Sequence, residues 1–153
     1  MTISDRLTRG FIAGFLAGIP MNIISYILYP LGLTELRFVD WTSIILLGHK
    51  AAPTLLNQGI ALAGHLTFTG LLGVIFAYFI QLVSSKNYYF KGWLFSVTVW
   101  FTSYVFSILF KTFKTITFTA ATPTANFLNA SLFGFILAAI LKWLDNKAEN
   151  LSN

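Results

Sequence analysis

The sequence contains no cysteine and very little charge. The absence of cysteine excludes disulfides, thiolate metal ligands and a cysteine nucleophile. Charged residues make up only 10% of the 153 residues, whereas soluble domains carry about 25%. A soluble protein with so few charges lacks the polar surface that keeps a chain dissolved. The composition therefore argues against a soluble catalytic or binding domain.

Long apolar runs are what the chain has instead. Hydrophobic residues account for 56% of the sequence, and 16 of them are phenylalanine. Four runs, at about 10–33, 58–83, 92–110 and 125–144, reach the ~20 residues that a transmembrane helix needs. Backbone amides in a bilayer must bond within their own segment, so each run is expected to be helical. The sequence predicts an all-α integral membrane bundle of four transmembrane helices, in a single domain covering 1–153.

The connection between the first two runs contains a short apolar patch at 41–47. The patch is too short to cross a bilayer. Trp41 favours the interface between headgroups and acyl chains, and Asp40 is placed to cap a helix that starts beside it. We expect a short interfacial or re-entrant helix here.

The basic residues predict an orientation. With four spans, both termini lie on the same side of the membrane. Six basic residues are expected on that side and four on the other: Arg6, Arg9, Lys86, Lys91, Lys142 and Lys147 against Arg37, Lys50, Lys111 and Lys114. The positive-inside rule then places both termini in the cytoplasm. The net charge of +5 is spread over every loop, so it forms no basic face for nucleic acid.

Small residues recur every four positions in two of the spans. Such spacing puts them on one helix face, where small side chains let helix backbones approach closely. The predicted helix-packing stripe, of the glycine-zipper type, comprises Gly10, Gly14 and Gly18 of the first span and Ala130, Gly134 and Ala138 of the fourth. Packing within the bundle is the first interpretation. A homodimer face, or a groove for a lipid or substrate, is the alternative.

Polar residues inside the spans predict a weakly polar bundle axis. The candidates are Asn22, His65, Thr69, Asn126 and Asn129. His65 is the only ionisable residue deep in a predicted span, and such residues often mark proton relays or ligand sites. A neutral histidine bonded across the bundle satisfies the same physics, so both interpretations stay open. Asn22 or Asn129 is also expected to satisfy the carbonyl that Pro20 leaves free.

Glu35, Arg37, Asp40 and His49 form a candidate site in the first connection. One interpretation is a solvated loop with a weak surface ion pair. The other is a docking point for a lipid headgroup or a partner protein. Two histidines without cysteine are too few for a structural zinc site, and we expect no metal, cofactor or catalytic residue.

Several short motifs occur together in this chain. They are the glycine-striped first helix, the run from Leu36 through Arg37 and Asp40 to Trp41, Gly48-His49-Lys50, Gly64-His65 and Lys91-Gly92-Trp93. With them the chain resembles a group of small uncharacterised membrane proteins of Firmicutes, and over about 10–144 it is similar in outline to the YqhR and YagU families. The resemblance implies the cytoplasmic (inner) membrane of a bacterium. It implies no biochemical activity.

Three functions follow from these patterns. The first is a non-enzymatic structural, assembly or partner subunit, in contact with membrane lipids and with either a second copy or another membrane protein. The alternative is a small-solute or ion transporter or channel with its polar axis around His65. A membrane enzyme with His65 or His49 as acid or base is the third. No span contains an acidic residue, which weighs against an ion-coupled pump.

Overall fold

The computed structural model describes residues 5–83, 86–110 and 118–152. Within these ranges the chain forms five helices and no strand. They are α1 (Arg6–Leu28), α2 (Phe38–Leu47), α3 (Leu55–Val83), α4 (Tyr88–Leu109) and α5 (Ala121–Ser152). Lys111 and Lys114, which enter the charge comparison, lie outside the described residues.

Four of the helices are long and apolar enough to cross a membrane, namely α1, α3, α4 and α5. The shortest, α4, has 22 residues and is therefore about 33 Å long, against a hydrocarbon core of about 30 Å. For the described residues, the prediction of an all-α chain with four helices long and apolar enough to span a membrane is confirmed. The helix α2, with 10 residues, is too short to cross.

The helix ends differ from the predicted spans. α1 begins at Arg6 rather than at 10, because the Asp5 carboxylate caps it by accepting the Thr8 N–H at 2.8 Å. α1 ends at Leu28 rather than at 33, since helices usually stop before a proline such as Pro30. α5 runs to Ser152, so the helix continues beyond the predicted end of the fourth span at 144.

The helix pair with the most extensive contact is α1 with α3, and glycine makes its close approach possible. A Cβ atom added to Gly10 would lie 2.8 Å from the Gly73 carbonyl oxygen, closer than real Cβ contacts allow. A Cβ on Gly14 would overlap the Thr69 carbonyl oxygen and the Gly73 backbone, and one on Gly18 would overlap the Thr69 hydroxyl. The stripe of α1 is therefore occupied by α3 of the same chain.

The second close pair is α4 with α5. A Cβ added to Gly92 would overlap the Gly134 carbonyl oxygen and would lie 2.7 Å from the Ala138 Cβ. Ser96 lies beside Gly134, and Ala130 is buried one turn away. The small residues of α5 thus meet small residues of α4, and the two close pairs are joined where α1 packs against α5.

The centre of the bundle is apolar and filled. The buried cluster includes Ala13, Ala17, Phe76, Phe133, Leu137 and Leu141. Phe95 of α4 closes the remaining side, with ring centroids 5.4 Å from Phe76 and 6.4 Å from Phe79 of α3. Large side chains therefore occupy the axis between the two helix pairs.

A polar cluster connects three helices at the end of the bundle where the two chain termini lie. Asp145 of α5 accepts from the Arg9 Nε at 2.8 Å and from the Tyr88 hydroxyl at 3.0 Å. One carboxylate thereby holds α1, α4 and α5. The cluster anchors α5 at the first residue beyond its apolar part.

Candidate functional site

The closest contact among the predicted axis residues joins Asn22 to His65. The Asn22 Nδ2 lies 2.8 Å from the His65 Nδ1 and also donates to the Gly18 carbonyl at 2.8 Å. Because the amide is the donor, Nδ1 acts as an acceptor and the imidazole is neutral. Phe38, at the start of α2, stacks on the ring with centroids 5.1 Å apart. His65 thus joins α1, α2 and α3.

The other predicted axis residues do not meet at this point. The Thr69 hydroxyl donates to the Leu66 carbonyl of its own helix. Asn126 donates to the Tyr104 hydroxyl at 3.0 Å, which places it between α5 and α4. Asn129 donates to the Met21 carbonyl at 3.0 Å, between α5 and α1. The structure therefore distributes the five polar residues over three helix contacts.

The carbonyl freed by Pro20 is not the acceptor of either asparagine amide. Proline at 20 frees the carbonyl four residues earlier, at Leu16. The amides of Asn22 and Asn129 donate instead to the Gly18 and Met21 carbonyls, so the expected role is wrong. The Oδ1 atoms of Asn22 and Asn129 are buried and have no hydrogen-bond donor among the described residues. Each is an acceptor held inside the bundle.

Arg37 and Asp40 form a partly buried pair rather than a solvated surface pair. Asp40 has no exposed surface, and its two oxygens accept from the Arg37 Nε and a terminal guanidinium nitrogen, both at 2.9 Å. The hydrogen bond to Asp40 raises the pKa of Arg37. Asp40 also accepts the Arg37 N–H. Arg37 occupies the N-cap position of α2, and Asp40 caps the helix from the N3 position of a capping box rather than from the N-cap itself.

Glu35 and His49 lie apart from that pair. The Glu35 carboxylate accepts from the Thr119 hydroxyl at 2.6 Å and from the Thr119 N–H at 3.0 Å, and the hydroxyl lowers the pKa of Glu35. The exposed His49 ring contacts the Lys50 carbonyl at 2.9 Å. In the described ranges no three histidine and acidic side chains are grouped as metal ligands. The four loop residues thus do not form one site.

An open cavity beside Arg37 includes residues that sequence reasoning missed. Its volume is about 700 Å³, and it is lined by Tyr26, Tyr29, Arg37, Lys50 and Gln58, among others. The Lys50 ammonium donates to the Tyr29 hydroxyl at 2.8 Å, and the Tyr26 hydroxyl donates to Gln58 at 2.9 Å. Two tyrosines three residues apart at the end of an apolar run are the sequence signal, since tyrosine favours the membrane interface.

A second, apolar groove of about 360 Å³ lies between α1 and α3. Ile19, Ile23 and Ile27 line it on α1, with Leu62 and Leu66 on α3. Tyr26 lines both the groove and the cavity. Arginine, lysine and phenol groups at one end and aliphatic side chains at the other make this an amphipathic surface.

The chain was compared with protein-family models, curated proteins and solved structures, and none of these comparisons found a match.

Proposed function

We propose that this protein is a non-enzymatic subunit of the bacterial inner membrane that acts as a structural or assembly component. The observation that carries the proposal is the filled axis. The buried apolar cluster includes residues with no exposed surface, among them Ala13, Ala17, Phe76 and Leu137. A bundle with such an axis offers its outer surface, rather than a passage, for function.

The outer face of α4 is the best surface for a partner. Only Gly92 and Ser96 of this helix are buried, because α4 packs mainly against α5. An exposed row follows the opposite face at spacings of three and four: Phe90, Leu94, Thr98, Phe101, Val105 and Ile108. A transmembrane helix of another chain would contact this row along its length.

Photocrosslinking in the native membrane tests the assembly role. A photoreactive phenylalanine analogue at Phe101 is expected to give a discrete crosslinked protein band, and two tagged copies show whether the partner is this chain. Ile75, at 55% exposure on α3, is the matched control position and is expected to give none. Equal labelling from both positions, or labelling of lipid alone from Phe101, would contradict the role.

The orphaned amide oxygens of Asn22 and Asn129 favour a second candidate, a small-solute transporter. A buried acceptor without a donor is costly, and a passing solute with hydroxyl or amine groups would satisfy it. Liposomes containing the purified protein separate the two functions. The assembly role predicts solute efflux equal to that of protein-free liposomes. Solute efflux that is lost when Asn22 and Asn129 are replaced would contradict the assembly role and support a transporter.

The position in the membrane is part of the proposal. Both termini are placed in the cytoplasm, and α2 lies at the opposite interface. The aromatic cluster at Trp41 supports an interfacial α2, with ring centroids 5.4 Å from Tyr104 and 5.8 Å from Phe118. The proposed bacterial setting follows from the resemblance to the YqhR and YagU families.

A further inference from the structure

The cavity lies where a lipid headgroup would be. Tyr26 and Tyr29 are at the end of α1, and Gln58 is in the first turn of α3. Because both spans end here, the cavity is at the level of the membrane interface. Arg37 and Lys50 reach it from the connection between these helices.

The charges of the cavity favour an anion. Arg37 donates to Asp40 from its Nε and from one terminal nitrogen. Its remaining guanidinium N–H groups can donate to a ligand in the cavity. Lys50 donates to the Tyr29 hydroxyl and, at 3.3 Å, to the Glu35 carbonyl oxygen. Within the described part of the chain, no carboxylate lies within ion-pair distance of Lys50. Asp40 pairs with Arg37, and the Glu35 carboxylate accepts from Thr119 rather than from Lys50, so the Lys50 ammonium has hydrogen bonds but no ion pair among the described residues.

The groove continues from this cavity along α1. Tyr26 belongs to both, and from Ile27 back to Ile19 the rise of α1 is roughly 12 Å. The lining is almost entirely apolar, with Leu62 and Leu66 on the α3 side. The groove therefore has the direction and the chemistry of an acyl chain that descends from the interface.

We propose that the cavity and the groove together bind one anionic phospholipid. The phosphate accepts hydrogen bonds from Lys50 and Arg37, because charge-assisted bonds to phosphate are the strongest that these side chains make. One acyl chain lies against Ile19, Ile23 and Ile27. The lipid comes from the leaflet opposite the chain termini, since α1 crosses the membrane between Arg6 and this site.

Native mass spectrometry of the full chain in detergent measures this binding directly. Dioleoylphosphatidylglycerol is expected to bind at lower concentration than dioleoylphosphatidylcholine, which has no net charge. Lys50→Gln is expected to weaken phosphatidylglycerol binding about fivefold, the effect of one basic residue near an anionic headgroup. Lys86→Gln removes the same charge at the other end of α3 and is the matched control, with unchanged binding.

The groove is tested separately from the charge. Ile23 and Ile27 are more than half exposed, at 55% and 54%, so Ile23→Trp and Ile27→Trp should fold while filling the groove. Both are expected to lower phosphatidylglycerol binding, and glycerol 3-phosphate without acyl chains should not compete. Equal binding of the two lipids, equal effects of Lys50→Gln and Lys86→Gln, or unchanged binding to both tryptophan variants would overturn the lipid site. Competition by glycerol 3-phosphate would assign the cavity to a free phosphate instead.

Discussion

The Asn22 Nδ2 and the His65 Nδ1 lie 2.8 Å apart, although 43 residues separate them in the sequence. The contact is buried between α1 and α3, at the level where Phe38 stacks on the imidazole. A neutral histidine in this position connects three helices, because His65 of α3 contacts Asn22 of α1 and Phe38 of α2. It gives His65 a role in holding the bundle together that requires no proton transfer.

Replacing His65 tests this role through its coupling to Asn22. His65→Phe removes the acceptor and leaves a buried N–H without a partner, which costs about 1–3 kcal/mol. Asn22→Leu removes the donor. The double variant is expected to lose less stability than the sum of the two single losses, by about 1 kcal/mol, in a thermal unfolding cycle in detergent. Additive losses would show that the two side chains act independently.

Gly14 should tolerate no side chain, whereas Gly59 should accept one. A Cβ at Gly14 would overlap the backbone of α3, whereas a Cβ at Gly59 has no neighbour within 4 Å. Gly14→Ala is expected to destabilise by about 1–3 kcal/mol through overpacking. Gly59→Ala should be neutral or stabilising by about 0.5–1 kcal/mol, because alanine favours a helix. Thermal unfolding of both variants in one detergent decides this, and equal melting temperatures would contradict the glycine contact.

Asp145→Asn should weaken the terminal end of the bundle. Arg9 is only 6% exposed, and the substitution removes the charge-assisted hydrogen bond between Asp145 and Arg9, at a cost of about 1.5–3 kcal/mol. Asp5→Asn is the matched acid-to-amide control, since asparagine caps a helix as well as aspartate does. Hydrogen exchange of the last turns of α5 should rise for Asp145→Asn and not for Asp5→Asn. Unchanged hydrogen exchange in both variants would show that the contacts of Asp145 do not stabilise the last turns of α5.

The contact between Glu35 and Thr119 should be lost in acid. The Thr119 hydroxyl, and then the Thr119 N–H, lowers the pKa of Glu35 below its ordinary value of 4.5. A carboxylate with a lowered folded pKa contributes its stability fully above the unfolded value and loses it as the pH falls through the folded value. The difference in melting temperature between the unmodified chain and Glu35→Gln should therefore shrink as the pH falls below 4.5. A difference that is independent of pH would contradict this contact.

The sequence predicts the helices better than it predicts their partners. Runs of apolar residues identify the spans because the bilayer forces every such run to coil. The spacing of Gly10, Gly14 and Gly18 indicates a contact face by itself. That this face meets Gly73 and Thr69 depends on the arrangement of whole helices, which spacing alone does not fix.

The contacts of the polar residues are even harder to predict from the sequence than the helix contacts. An arginine and an aspartate three residues apart look like a solvated loop, yet Asp40 has no exposed surface. Its buried carboxylate is satisfied by the backbone and the side chain of Arg37. Arg9 and Asp145 are 136 residues apart, so no local pattern joins them. The cavity at Lys50 likewise needs the end of α1 and the start of α3 to be placed together.

Labelling of single cysteines tests most directly whether α3 crosses the membrane, because the chain has no cysteine of its own. His49→Cys lies before the start of α3, Lys86→Cys lies after its end, and Ile75→Cys lies within it. A membrane-impermeant maleimide is expected to label His49→Cys in intact bacterial cells, Lys86→Cys only after permeabilisation, and Ile75→Cys in neither case. Labelling of positions 49 and 86 from the same side, or of position 75 from either side, would show that α3 does not cross the membrane.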